Sequence, residues 1–269
     1  LPISRGEAKG MPDRISAIIV TYNSSSVISD CLRALLEALP PESSEIIVVD
    51  NASTDPTLEV VKRFQDRLRV IAAEKNEGFA AGVNRGIVSS CGDPVLLINP
   101  DLIINPACVR GMRDFLQTRE RAAVVGVRLV SPDGRSQPSR RRYPRMRAIL
   151  ANRIALMKRI FGGEVLGRYL MEDGKETEPE EVEWIIGACM MFQRRALEEV
   201  GLFDPKFFLY FEDADWCYRA RDAGWKVFYL PKVEAVHLYQ RESSRGVNRQ
   251  LYWHLQSLAR LYRKHGFRF

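Results

Sequence analysis

Two periodicities alternate along the first 130 residues. Short apolar runs rich in Ile and Val lie at Ile15–Tyr22 (ISAIIVTY), Glu45–Asp50 (EIIVVD), Leu68–Ala73, Pro94–Asn99 (PVLLIN) and Ala122–Val130. Their length and β-branched content predict buried strands. Between them, apolar residues recur at helical spacing in Val27–Leu39, Thr57–Phe64, Phe79–Ser89 and Pro106–Thr118. Pro40 and Pro41 stop the first helix, and Asp55 with Pro56 starts the second. Strand–helix alternation at this spacing predicts βαβ units: an α/β domain with a mostly parallel sheet and helices on both faces.

The pattern breaks after Ser131. Arg135–Arg159 holds eight Arg and one Lys and no acid, and Glu172–Glu183 holds seven acids and one Lys. These blocks read as an insertion, about 131–181, made of loop and helix. Core-like character returns in Val182–Phe192 (VEWIIGACMMF), followed by helices at Arg195–Val200 and Glu212–Ala223 and a strand at Lys226–Leu230. Val247–Lys264 reads as a helix with Leu251, Leu255, Leu258 and Leu261 on one face. The expected organisation is one domain over 13–238, then a helical extension over 239–269.

The 269 residues suffice to bury a core without disulfides or a structural metal. Five scattered cysteines without a CxxC pair read as reduced thiols of an intracellular protein. No apolar run approaches the ~18 residues of a membrane span, and Leu1–Pro12 lacks a signal-peptide core. A cytoplasmic location, at the inner face of the membrane if it binds there, is expected. A net charge of +6 suggests an anionic partner. Arg147, Ile149, Leu150, Ile154, Leu156, Met157 and Ile160 form a basic amphipathic stretch suited to an anionic bilayer; the alternative is a solvated loop paired with the acidic block.

Ligands of open α/β sheets bind at the carboxyl ends of the strands. Here those ends are Thr21-Tyr22-Asn23, Asp50-Asn51-Ala52-Ser53, Glu74-Lys75-Asn76 and Asn99-Pro100-Asp101, all polar. Polar turns alone explain each of them singly; four together favour a site. There is no GxxxxGK[ST] loop and no GxGxxG after a strand, so a bound diphosphate calls for a divalent cation, with Asp101 a suitable hard ligand for Mg²⁺ or Mn²⁺. His237 is the candidate second ligand, whereas His254 and His265 read as surface residues. Glu212-Asp213-Ala214-Asp215 is either the ordinary acidic first turn of a helix or the source of a general base. The aromatic residues before it would wall a dry pocket.

In order along the chain, VTYNS (Val20–Ser24), VVDNASTD (Val48–Asp55), NEGFAAGVNRG (Asn76–Gly86), LLINPD (Leu96–Asp101), FLYFEDADWCYRARDAGW (Phe208–Trp225) and the His237 region resemble the inverting nucleotide-sugar glycosyltransferases of family two, with the GT-A fold. Within that family they look most like bacterial rhamnosyltransferases that use dTDP-L-rhamnose to build cell-surface polysaccharides. The resemblance implies a nucleotide pocket lined by Thr21, Tyr22 and Asn23, with Asp50 accepting the pyrimidine N3–H. It brings Asn76, Gly78 and Phe79 to the nucleotide, the glycine for close approach. Asp101 would end the family's DXD element and hold the cation with His237; Asn99 stands where many relatives have Asp. Asp213 would be the catalytic base, with Trp184, Glu212 and Asp215 on the acceptor side. A dTDP- or UDP-sugar donor and a glycan or polyprenyl-diphosphate-linked acceptor are the implied partners. A non-catalytic binding module, a basic nucleic-acid-binding protein and a nucleotidyltransferase are the other readings. Nucleic acid is not expected: reader motifs are lacking and Tyr143 and Phe161 are too sparse to stack bases.

Overall fold

A computed structural model of the chain describes residues 11–143, 164–172, 174, 176–238 and 249–266. Eight strands form the main path of the central sheet: β1 (Met11–Thr21), β2 (Ser44–Asp50), β3 (Arg69–Ala72), β4 (Gly92–Ile98), β5 (Leu102–Ile103), β6 (Ala122–Val130), β11 (Cys189–Phe192) and β12 (Lys226–His237). Their order is β3-β2-β1-β4-β11-β6-β12-β5. The first four are mutually parallel, and β12 is parallel to β6. β11 enters antiparallel between β4 and β6, which makes the sheet mixed. The apolar stretch Val182–Phe192 therefore divides into a short strand, β10 (Trp184–Ile185), and β11.

Consecutive residues of each buried strand feed two different cores. Ile18, Val20, Ile47, Val49 and Leu97 face one side; Ala17, Ile19, Ile46, Val48 and Leu96 face the other. That is why these strands read as unbroken apolar runs. Helices α1 (Ile28–Ala38), α2 (Thr57–Lys62) and α4 (Pro106–Gln117) supply residues to the second core. Helices α3 (Phe79–Val88), α5 (Arg194–Val200), α6 (Glu212–Asp222) and α7 (Arg249–His265) supply the first, around the fully buried Trp216, Phe192 and Phe203. Each such side chain contributes about 1.5–3 kcal/mol by leaving water.

The strand expected at Lys226–Leu230 continues to His237, with its register shifting between Leu230 and Glu234. Pro231, which has no N–H for the ladder, sits at that shift. The charged insertion adds strands β7 (Ser136–Gln137), against β6, and β9 (Glu180–Glu181), against β12. A separate ribbon pairs β8 (Arg140–Arg141) with β10. Its basic and acidic blocks meet where buried Arg140 bonds Glu176 at 2.6 Å and Glu180 at 3.2 Å. The amphipathic stretch at 147–160 lies outside the described residues. Among those described, no helix is long and apolar enough to cross a membrane.

Helix α7 departs most from the sequence reading. Leu255 is exposed, and the buried face is His254, Ser257, Leu258, Leu261 and Tyr262. His254 is not a surface residue: it packs on the rings of Tyr210 and Phe211. Nor is His265, whose Nε2 lies 2.7 Å from Asp215 Oδ1. Lys264 Nζ reaches the same carboxylate at 2.8 Å and Arg219 Nε at 3.0 Å. Burial works against the charge of Asp215, but His265, Arg219 and Lys264 more than offset it and hold the carboxyl below its usual range. A depressed folded-state value means this stabilisation is complete above the unfolded value and is lost as pH falls through the folded one. Replacing Asp215 by Ala leaves Arg219 and His265 without their carboxylate and Lys264 with Asp204 alone, and should destabilise the fold by about 3 kcal/mol. Chemical denaturation at pH 7 measures the loss, which should shrink in acid below about pH 4.

Candidate active site

The topology gathers the candidate residues at one edge. β1, β2, β4, β6 and β12 all run in the same direction, so Thr21, Asp50, Asn99 and His237 stand at or just past their carboxyl ends. β11 starts there in the opposite sense, with Cys189 beside Ile98.

Asp50 is buried, and one carboxylate oxygen accepts from Ser53 N–H (3.1 Å) while the other accepts from Ser53 Oγ (2.5 Å). A carboxylate has about four acceptor positions, so capacity remains for a base N–H. Thr21 pairs with Asp50 in the ladder and is fully buried, its Oγ1 without a hydrogen-bond partner. Tyr22 is 47% exposed. Asn23 takes φ +51°, and its Oδ1 accepts from Thr54 N–H at 2.8 Å, tying the β1 loop to the β2 loop.

Asn76 and Gly78 are placed for the loop before α3. Asn76 Oδ1 accepts from Gly78 N–H at 2.9 Å and from Asn51 Nδ2 at 2.9 Å. Gly78 has φ +93°, and a β-carbon there would sit 2.5 Å from Phe208 O. The close approach expected between Gly78 and a nucleotide is an approach to the Phe208 backbone instead. It lets Phe79 N–H donate to Phe208 O at 2.8 Å, which locks the start of α3 to the segment leading into α6.

Asp101 Oδ2 lies 3.3 Å from His237 Nε2, and Asp101 Oδ1 is buried with no hydrogen-bond partner. Gln137 Nε2 donates to His237 O at 3.1 Å, which places Gln137 Oε1 against His237 Nδ1 at 2.8 Å. That oxygen accepts only from a protonated Nδ1, so a neutral ring turns its Nε2 lone pair toward the carboxylate. With the ring neutral, two acceptors face each other beside an unpartnered carboxylate oxygen, an arrangement that suits a divalent cation bound by one hard oxygen and one imidazole. No group of three or more Cys, His, Asp or Glu that could hold a metal occurs among the described residues. A cation here needs oxygens from elsewhere, and the Asn99 side chain brings no charge.

Asp213 occupies the first turn of α6, entered through Tyr210 and Phe211, both at positive φ (70° and 64°). Its Oδ2 accepts from Gly187 N–H and its Oδ1 from Ala214 N–H, both at 2.7 Å. Burial pushes its pKa up to about 6, opposed by those two amides and by the positive charge of Arg141. Glu212 is also buried, and burial with the neighbouring Asp213 charge raises it well above the usual range. Ala188, next to Gly187, accepts from Asn99 N–H at 2.9 Å, so the amide that holds Asp213 sits beside the end of β4 that leads to Asp101. Trp184 packs on Phe211 with ring centroids 6.4 Å apart. Asp215 does not join them: it points to the other side of α6, into the cations of α7 and Arg219.

The family model for glycosyl transferase family 2 matches residues 16–201. The chain belongs to that family. It is 28% identical over 238 residues to the N-acetylglucosaminyl-diphospho-decaprenol L-rhamnosyltransferase of Mycobacterium tuberculosis, covering 84% of this chain and 76% of the relative. It is 24% identical to the Shigella flexneri dTDP-rhamnosyl transferase RfbF, covering 84% of this chain and 70% of that one. The mannosyltransferase PcManGT of Pyrobaculum calidifontis, solved with GDP-Man and Mn²⁺, superposes with a TM-score of 0.65 at 20% identity, covering 97% of this chain and 69% of that one. This family-2 glycosyltransferase has the GT-A fold.

Gln137, Arg141 and Gly187 escaped the sequence reading, which named Asn51 only as part of a polar strand end. Asn51 sits in the VVDNASTD run, a visible signal. Gln137 is 100 residues from His237, and nothing local links them.

If Asp213 is the group that must be ionised, kcat/KM should fall about tenfold per pH unit below about 6 and level off above 7. Glu212→Gln should leave that midpoint in place, because a carboxamide mimics the protonated acid. A pH–rate profile of both proteins checks this.

Proposed function

We propose that this family-2 glycosyltransferase is an inverting enzyme. It moves a sugar, best matched by L-rhamnose from dTDP-L-rhamnose, to a hydroxyl of a glycan or lipid-linked glycan acceptor. The observation that carries the reading is a buried carboxylate with raised pKa, held by the Gly187 amide, and an Asp101–His237 pair, both gathered at the carboxyl end of β4. The rhamnosyl choice is supported by the names of the Mycobacterium and Shigella relatives. A UDP-sugar is the alternative donor, favoured by the fold shared with S. aureus TarS solved with UDP-GlcNAc (TM-score 0.58, 18% identity, 87% of this chain and 62% of that one). Contact with an anionic membrane at its inner face belongs to the same reading.

Mg²⁺ or Mn²⁺ held by Asp101 and His237 would supply positive charge against the leaving diphosphate. Asp50 accepts the N3–H of a uracil or thymine base. Asp213 takes the proton of the acceptor hydroxyl as its oxygen bonds to the anomeric carbon. The bond from that carbon to the diphosphate oxygen breaks, and its electron pair leaves on the nucleoside diphosphate. Attack from the face opposite the leaving group inverts the configuration. Phe211, Trp184 and Phe79 exclude water that would otherwise take the sugar.

Asp213→Asn removes the base and leaves its shape. Transfer should fall about 10³-fold, while donor affinity by calorimetry stays within about twofold. A variant that turns over at the wild-type rate would move the base elsewhere.

With two protein ligands, Mn²⁺ should bind weakly alone and tightly with a nucleoside diphosphate. Gln137→Ala frees the His237 ring and should weaken Mn²⁺ binding in the presence of dTDP about tenfold, as read by calorimetry.

A further inference from the structure

The run Asn76–Gly86 puts three poor helix formers, Gly82, Asn84 and Gly86, into α3. The two glycines let the helix lie close on β1: a β-carbon at Gly82 would sit 2.6 Å from Val20 Cγ1, and one at Gly86 would strike Ile18. Asn84 has another use. Its Nδ2 donates to Phe203 O at 2.8 Å, and its Oδ1 accepts from Phe203 N–H at 3.0 Å. One carboxamide thus satisfies both backbone groups of a residue 119 positions away, as a neighbouring strand would.

Phe203 belongs to the stretch that joins α5 to α6 and so leads to Asp213. Several side chains of α6 and α7 hold that stretch. Arg219 donates to Val200 O and Leu202 O (both 2.8 Å), Trp216 to Gly201 O (2.9 Å), and Ser257 to Leu209 O (2.8 Å). These bonds keep it with the helices that bear and brace Asp213. Bonds from α3 index it instead to β1: Phe79 N–H to Phe208 O, and the Asn84 pair. The Phe79 bond is backbone to backbone, so the Asn84 pair is the one that a side-chain substitution removes. The Phe203 ring stacks on Trp216 with centroids 6.1 Å apart, and Trp216 lies about one helical turn beyond Asp213 on α6. Asn84 therefore reaches the turn that bears Asp213 through a single residue.

We infer that Asn84 is a positioning residue for sugar transfer: it sets where Asp213 stands relative to a donor lying at the end of β1. This rests on the glycosyltransferase reading above and adds to it the side chain that joins the donor half of the site to the acceptor half. Asp213 meets the acceptor hydroxyl and holds no part of the donor. A shifted α6 therefore leaves the donor bound and spoils only the line of attack, where a displacement of about 1 Å costs on the order of 10²-fold in rate.

The test combines calorimetry of dTDP with Mn²⁺ and steady-state transfer to decyl α-N-acetylglucosaminyl diphosphate, with dTDP-L-rhamnose or a UDP-sugar as donor. Asn84→Ala should keep dTDP affinity and donor KM within about twofold while kcat falls about 10- to 100-fold. Asn84→Gln, which keeps the carboxamide, should recover part of that loss. Val109→Ala, in the core on the opposite face of the sheet, loses stability by leaving a cavity and should keep the wild-type kcat. Each protein is assayed below its own Tm. An Asn84→Ala protein with wild-type kcat overturns the inference. So does one whose loss lies in donor KM and dTDP affinity, or one that loses no more kcat than Val109→Ala at an equal drop in Tm. If Asn84→Ala does not fold, Asn84→Gln carries the same comparison. Wild-type protein that transfers no sugar defeats the parent reading and the inference with it; wild-type transfer without the Asn84-dependent split defeats the inference alone.

Discussion

A carboxylate that must collect a proton near neutral pH has to be buried enough to hold one weakly and bonded enough to stay in place. Asp213 meets both demands, and much of the surrounding architecture follows from them. Burial lifts its pKa, while the Gly187 and Ala214 amides keep it from rising further and fix its orientation. Gly187 lies in the turn between β10 and β11, the strand that wedges between β4 and β6, and Ala214 lies in the first turn of α6. An aspartate on a mobile loop would have neither the desolvation nor the aim.

That placement has a cost, visible at Tyr210 and Phe211. Two successive non-glycine residues at positive φ are strained, and such strain persists only where neighbours over-determine it. Helix α7 provides the neighbours. Ser257 Oγ donates to Leu209 O at 2.8 Å, His254 packs on both aromatic rings, and Trp253 lies on Phe208. Asp215 anchors the far end of the same contact through Lys264 and His265. Two acids of one helical turn thus divide: Asp213 opens to the cleft, and Asp215 fastens the helix that holds Asp213 in place.

The strands, their alternation and most of the strand-end residues were legible because burial on both faces writes itself as unbroken apolar runs. What sequence reasoning missed was non-local. The histidines of α7 look like surface residues, but His254 is covered by Tyr210 and Phe211 and His265 by Asp215 and Tyr218 of α6, partners far back along the chain. Asp215 looked like a partner of Asp213 by proximity, yet a helix turns adjacent acids to different sides. Gly78 was read as opening toward a ligand, whereas its missing side chain makes room for another stretch of backbone. In each case the residue type was informative and the partner was not, because the partner arrives through tertiary packing.

The site also divides along the chain in a way that bears on specificity. Residues 16–201, the part matched by the family model, include Asp50, Asn76, Asp101 and Gly187. Asp213, His237 and α7 follow it. The matched portion builds the sheet edge where a nucleotide would lie and presents the amide that receives the base. The proposed base, Asp213, and its clamp are delivered by later segments. One nucleotide-facing frame can then serve different acceptors, provided the later segments always return a carboxylate to the Gly187 amide. Gly187 is then the junction of the two portions: its amide holds Asp213, while the β4–β11 ladder fixes where that amide stands relative to the end of β4.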